Sequence, residues 1–400
     1  MMGYDSRFQN NNINSVTKVA EAHPAIFKLA QLFGSVKIMG PPMSDRLVEL
    51  ISHLFSPEEA EVCKGLTFLY PRSAGTISRI CKRDLCEILP ILKSMGQRRV
   101  IHEDQDKFIL FPLIPGIFEY IFMTGRNSPW HKKYAELNKD LFGTGYIGEY
   151  LTREINAVRN IPIQRVIENK NHIVDADLIS NMIDAHNHFA VLNYCPCRHS
   201  KKLIGQNCKR ATPEDGCLVF GNFSKDTVSN GNGRAVSKTE MSDIVVERLE
   251  KKLVFLTANV DPILPNAICT CCDCCCHTLE TANHYSNNFL AAAHYTAQVD
   301  DSLCSNCGEC VFVCNSYAHV LVNKRHNYLS DKCIGCGHCL EACKKNAIRL
   351  VENPLFKKPT NRYSKLLLTM MPSIAIMGLE IKLLNDAKVM QQLRQKKGQI

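Results

Sequence analysis

Residues 304–343 repeat one cysteine pattern twice: Cys304-x2-Cys307-x2-Cys310-x3-Cys314, then Cys333-x2-Cys336-x2-Cys339-x3-Cys343. No other feature constrains the chain so tightly. Three thiols spaced two apart in one loop can converge on one metal centre, and the fourth ligand must come from elsewhere. The copies agree beyond the cysteines. Gly308 and Gly337 each follow the second cysteine, where the backbone must approach a bound group closely. Short apolar runs at 320–322 and 348–351 predict strands of a small pseudo-twofold unit. Zinc sites favour paired C-x2-C halves over triplets with a distant fourth thiol. A disulfide scaffold requires export.

From about 298 to 352 the chain resembles bacterial-type ferredoxins that hold two [4Fe–4S] clusters. That resemblance implies an exchange of fourth ligands between the repeats. One cluster would take Cys304, Cys307, Cys310 and Cys343; the other would take Cys333, Cys336, Cys339 and Cys314. Such ferredoxins usually carry proline after the fourth cysteine, whereas Asn315 and Lys344 stand here. The departure bears on the local turn and the potential.

The chain holds 21 cysteines, 18 of them after residue 194. Residues 1–15 are polar and asparagine-rich, unlike the charged, apolar opening of an export signal. Unexported thiols stay reduced, so cysteine at this density signals metal. The expectation is a cytoplasmic protein of an anaerobe. The formal net charge of +9 is spread out rather than blocked, as on an ordinary solvated surface. The apolar stretch 366–379 contains Pro372 and gives way to Glu380, Lys382, Asn385 and Asp386. It falls short of the about 20 residues a membrane span needs. It predicts a helix packed on the protein or lying on a membrane surface.

Ten further cysteines lie at 195–276 in another arrangement. Cys195, Cys197, Cys208 and Cys217 form the first group, and four such thiolates can close one tetrahedral or cubane site. Cys269, Cys271, Cys272, Cys274, Cys275 and Cys276 form the second, which has more thiols than one site uses and could supply complete clusters of its own or share ligands with the first group. Further iron–sulfur clusters and zinc both fit these donors, as do redox-active or merely buried thiols. Arg198 would offset thiolate charge and donate to sulfur. His199, His277 and His284 stand nearby as ligands or as donors to ligands. Between the groups, Ser237 with Thr239 and Glu240 starts a helix carrying Ile244, Val245, Leu249 and Leu253.

The segment 43–123 has another character. Leu47, Leu50, Ile51, Leu54 and Phe55 mark one helix face. Ser56-Pro57-Glu58-Glu59 predicts a capping box. Helices at 76–81 and 85–95, the second with Pro90 inside, precede a hairpin whose acidic tip is 103–106. Helices followed by a hairpin resemble a winged helix, a fold that binds DNA or proteins. Lys82, Arg83, Lys93, Arg98 and Arg99 lie on or near its second helix, while the acidic tip opposes phosphate. Cys63, Cys81 and Cys86 read as buried thiols of this head.

Taken whole, residues 40–352 resemble a family of ferredoxin-domain proteins of anaerobic bacteria and archaea. The matching features are Phe111-Pro-Leu-Ile-Pro-Gly-Ile-Phe-Glu119, Ile161-Pro162, Cys195-x-Cys197-Arg198, Cys208, Cys217 and Ile268-Cys-Thr-Cys271-Cys272-x-Cys274-Cys275-Cys276. Thr270 stands where similar proteins often have asparagine. The resemblance implies iron–sulfur binding and electron transfer and names no substrate. The expectation is an α+β chain of four parts. These are a winged-helix-like head (40–125), a cysteine-rich middle (126–297), a ferredoxin-like domain (298–352) and a helical tail (353–400). The function expected is electron transfer to a redox partner protein. The alternatives are a cluster-sensing regulator whose head binds nucleic acid, and an oxidoreductase with its active site in the middle. No Gly-x-Gly-x-x-Gly loop indicates a dinucleotide fold.

Overall fold

The computed structural model describes residues 22–143 except 36, 37, 39, 42 and 69, then 153–167, 178–260 and 266–397 except 286; for 381–397 it describes the backbone only. The polar opening at 1–15 lies outside the described residues. The chain is a mixed α+β protein of two compact units: residues 1–150 with 199–206, and 151–198 with 207–400.

The first unit opens with α1 (Pro24–Phe33), α2 (Asp45–Leu54) and α3 (Pro57–Val62). The apolar period of α2 becomes a buried row of Leu47, Leu50, Ile51 and Leu54. At Ser56 both bonds of the capping box form: Glu59 N–H donates to Ser56 Oγ at 3.2 Å, and Ser56 N–H to Glu59 Oε2 at 2.9 Å. Then come β1 (Arg72–Ser73), α4 (Ala74–Cys81), α5 (Leu85–Gln97), β2 (His102–Asp104) and β3 (Lys107–Ile109). Their strands pair antiparallel in the order β1-β3-β2. Helices α6 (Phe118–Phe122) and α7 (Pro129–Phe142) follow. Trp130 of α7 donates its indole N–H to His53 O of α2 at 3.3 Å. Cys63 is buried but Cys86 is exposed. The buried row of α5 is Ile88, Leu92 and Met95, and Cys86 falls outside it.

The second unit centres on an antiparallel sheet. Its elements are β4 (Val158–Ile161), α8 (Ile179–Asp184), β5 (Phe189–Leu192), the first residues of α9 (Pro196–Leu203), β6 (Leu218–Phe220), α10 (Gly221–Ser229), β7 (Gly233–Val236), α11 (Lys238–Glu250), β8 (Val254–Ala258) and β9 (Ala267–Cys271). The strand order is β4-β8-β9-β6-β5-β7. Ser237 caps α11, accepting from Glu240 N–H at 3.1 Å. Met182, Ile183, Met241, Ile244 and Leu249 pack with Phe189, Leu218, Phe255 and Ile268. Successive residues of a strand point to opposite faces. Val254, Leu256, Cys269 and Cys271 therefore belong to a separate cluster with Cys276 and Leu279. Strand parity thus sends the β9 thiols away from Ile268.

The chain continues through α12 (His277–His284), β10 (Tyr295–Val299), α13 (Glu309–Val313), β11 (His319–Val322), β12 (Arg325–Tyr328), α14 (His338–Ala342) and β13 (Ile348–Glu352). The outer strands β10 and β13 pair antiparallel, Val299 opposite Ile348, and the inner strands form a hairpin. The backbone repeats as the sequence does. Positive φ recurs at matched positions: Asn306 (56°) and Gly335 (67°), Gly308 (83°) and Gly337 (93°), Tyr317 (54°) and Asn346 (51°). At Gly335 a Cβ would collide with the Tyr295 carbonyl oxygen and the Ala293 methyl. Gly335→Ala is expected to cost about 1–3 kcal/mol in anaerobic chemical denaturation. Asn306→Gly should relieve the positive φ but lose the bond that Asn306 Oδ1 accepts from His326 N–H at 2.7 Å, for a net cost of about 1 kcal/mol or less.

The last helix, α15 (Tyr363–Lys397), runs through Pro372. It buries Leu366, Met370 and Met377 and exposes Leu367, Leu368, Met371 and Leu379. Among the described residues no helix is long and apolar enough to cross a membrane.

Candidate metal centres

The fold brings cysteines of the two halves of the repeat together. Cys304, Cys307, Cys310 and Cys343 line one cavity of about 230 Å³. Burial, then the nearby Cys304 and Cys307, push the Cys310 thiol up to about 11. In the second set, burial and then Cys314 push Cys336 up to about 12. Cys339 is raised by burial, then by Cys336, Cys333, Cys314 and Cys310. Thiolate charge gathered beside the buried Cys310 and Cys339 is mutually repulsive, and a bound cationic core relieves that repulsion. Ala297, Ile348, Val299, Tyr328 and Leu340 form the apolar jacket. The donor chemistry and the cavity both fit a [4Fe–4S] cluster.

Two histidines that the sequence reading passed over stand beside this first set. His326 lines the same cavity. His319 Nδ1 and His326 Nε2 are 2.9 Å apart. Together with Cys310 Sγ their ring nitrogens lie within 4.8 Å of one another. The β11–β12 hairpin unites them. Two histidines flanking a turn were a visible but unspecific signal.

The ten middle cysteines divide differently from their order in the sequence. Cys208 joins Cys272, Cys274 and Cys275, all four sulfurs lying within 4.8 Å of one another. Cys195, Cys197 and Cys217 join Cys269, Cys271 and Cys276 instead. Contacts run from Cys195 to Cys217 to Cys269 to Cys271 to Cys276 to Cys197, with Cys271 and Cys276 sulfurs 3.3 Å apart. The grouping of Cys195, Cys197, Cys208 and Cys217 around one site does not form. The reason is strand register: Leu218 pairs with Ile268, which seats Cys217 beside Cys269. Hydrogen bonds from Cys217 and Cys271 draw the Cys269 thiol down to about 5.

Arg198 lies between the two groups and is 1% exposed. Its Nε–H donates to Thr212 O at 3.0 Å and its Nη1 to Thr270 O at 2.9 Å. Nη2 donates to Asp215 O, and Nη1 also approaches Cys272 Sγ at 3.9 Å. Burial opposes its charge, but Cys195, Cys272, Cys217 and Cys208 outweigh it and raise its pKa. Of the three histidines considered with these thiols, His277 stays beside Cys197 and Cys276. His199 bonds Arg126 O at 3.0 Å, His277 pairs with Glu280 at 3.2 Å, and His284 packs edgewise on Tyr317.

Asn315, in place of the expected proline, is fully buried. It accepts from Asp273 N–H at 3.1 Å and donates to Lys252 O at 2.9 Å. Asp273 sits between Cys272 and Cys274, so the residue after Cys314 ties the repeat to the middle thiols. Asn315→Pro is expected to orphan both buried backbone groups and cost about 3 kcal/mol. Chemical denaturation of the second unit, followed anaerobically, checks it; a change below about 0.5 kcal/mol would contradict the docking role.

Residues 296–344 match the family model described as a 4Fe-4S dicluster domain. The match supports 4Fe–4S binding by this part of the chain. No curated protein and no solved structure matches the chain.

Proposed function

We propose that the protein transfers electrons through a two-cluster, ferredoxin-type domain at 298–352 and serves a redox partner protein. The observation that carries this reading is the crosswise gathering of Cys343 with Cys304, Cys307 and Cys310 around one cavity. The paired outer strands and the repeated positive-φ positions support the pseudo-twofold fold. When bound, [4Fe–4S] clusters accept and release single electrons. The chain's own part is to hold them close together and to exclude water with the jacket around Ala297 and Ile348. The six-thiol group is proposed as a further iron–sulfur site. Kinship of the whole chain with the anaerobe ferredoxin-domain family belongs to the same reading, as does a reducing cytoplasm in which 21 thiols persist.

For the head, the order of helices and three strands supports a winged helix used for docking. Four of the cations on or near its second helix are engaged within the head. Arg83 meets Glu58 at 2.9 Å and Glu87 at 3.1 Å, Lys93 meets Glu103 and Asp106, and Arg98 meets Glu59. Arg99 lies over the Tyr120 ring at 4.6 Å. Such pairing weakens the case for phosphate contacts and hence for a DNA-binding regulator. The row Leu367, Leu368, Met371 and Leu379 is the proposed contact for a membrane surface.

Anaerobic purification with iron, sulfide and EPR analysis tests the main reading. About eight irons per chain match the cluster pair, and about twelve match the pair plus the six-thiol group. A colourless chain without acid-labile sulfide would sink it.

A further inference from the structure

Cys208, Cys272, Cys274 and Cys275 pose a question of scale that distances answer. The sulfurs of Cys208 and Cys272 are 3.5 Å apart, those of Cys208 and Cys274 3.6 Å, and those of Cys274 and Cys275 3.7 Å. A disulfide needs about 2.05 Å. A tetrahedral ion with metal–sulfur bonds of about 2.3 Å needs sulfurs about 3.8 Å apart. A cubane sets each thiolate on a separate iron, with the cube between them, and so spreads its ligands wider. The quartet has the size of a single-ion site.

We propose that Cys208, Cys272, Cys274 and Cys275 bind one zinc ion as a closed tetrathiolate site, separate from every iron–sulfur cluster. All four positions come from protein sulfur, which leaves none open and makes the site structural rather than catalytic. Four thiolates around one divalent ion carry a net charge of −2, and the surroundings answer that charge. Lys209 N–H donates to Cys274 Sγ at 3.4 Å and Arg210 N–H to Cys208 Sγ at 3.5 Å. Arg198 approaches Cys272 Sγ at 3.9 Å. Donors of this kind hold ligand sulfurs in place and delocalise their charge.

The site joins two loops distant in sequence, one around Cys208 and one at 272–275. Its neighbours extend the clamp. Arg210 pairs with Asp273 at 2.7 Å and donates to Phe312 O at 3.0 Å. Asp273 N–H meets Asn315. The ion would therefore fasten the middle of the chain to the first half of the cysteine repeat. This inference does not rest on the electron-transfer reading.

The test uses the full chain purified without oxygen. Metal analysis should find about one zinc per chain, and X-ray absorption at the zinc edge should find four sulfurs at about 2.3 Å. Cys274→Ser should lower zinc at least tenfold while iron and acid-labile sulfide stay constant. Cys343→Ala should do the reverse, lowering iron and leaving zinc unchanged. A wild-type chain without zinc overturns the proposal, as does nitrogen or oxygen among the zinc ligands. Iron in the quartet also overturns it, with or without sulfide. Should Cys274→Ser fail to fold, the wild-type absorption spectrum and the Cys343→Ala zinc count decide the matter.

Discussion

Cys343→Ala is expected to remove the cluster of the other repeat, not that of its own. Cys343 shares a cavity with Cys304, Cys307 and Cys310, and it is among the thiols that raise Cys310. Its three repeat-mates Cys333, Cys336 and Cys339 are grouped with Cys314 instead. Iron should fall by about four per chain, and the EPR spectrum of the reduced protein should lose the coupling between the repeat's two clusters. Pairing substitutions identifies which cluster is lost. Cys304→Ala combined with Cys343→Ala should cost no more iron than either alone, because both act on one site. Cys333→Ala with Cys343→Ala should cost both clusters. If the first pair proved additive and the second did not, each repeat would hold its own cluster and the crosswise assignment would fall. The logic is that of a double-mutant cycle, in which non-additivity reports a shared site.

Arg198→Ala should be the most damaging single change outside the cysteines. The side chain bonds Thr212 O, Thr270 O and Asp215 O. It is also a buried cation on which thiols of both middle groups act. Removing one partner from a buried charged network costs about 3–5 kcal/mol, because the groups left behind stay desolvated. Arg198→Lys should not rescue it. A lysine ammonium is a point charge with three donors and cannot reproduce the planar fork. Denaturation under argon should report the stability loss, and metal analysis should report depletion at the middle sites with the repeat's iron retained. Arg234→Ala, which breaks an exposed pair with Glu240, is the control and should cost less than about 1 kcal/mol. Equal effects at the two arginines would mean that burial beside thiolates confers nothing special on Arg198.

These expectations also bear on how the two thiol groups of the middle respond together. Asp215 links them to α11 through Arg248 and through Lys251 at 2.9 Å, and its own carbonyl accepts from Arg198. The Arg198 guanidinium is thus held in place by the helix as well as by the thiol loops. A single buried arginine therefore answers for charge on sulfurs that reach it from four separate points of the chain.

Local spacing made much of this protein legible in its sequence. The two cysteine triplets, the glycines beside them, the capping box at Ser56 and the helix start at Ser237 all act within a few residues, where chain geometry leaves little choice. Tertiary structure decided the rest. Cys208 stands near Cys195 and Cys217 in sequence, yet it meets Cys272, Cys274 and Cys275 in space. Strand register set Cys217 against Cys269, and the parity of β9 turned Cys269 and Cys271 away from Ile268. Asn315 looked like a missing proline until folding gave it the Asp273 amide and the Lys252 carbonyl. His319 and His326 met only because a hairpin folded them together. Spacing fixes which ligands one loop can offer, but which distant loops converge depends on strand pairing and side-chain burial, and those are properties of the folded whole.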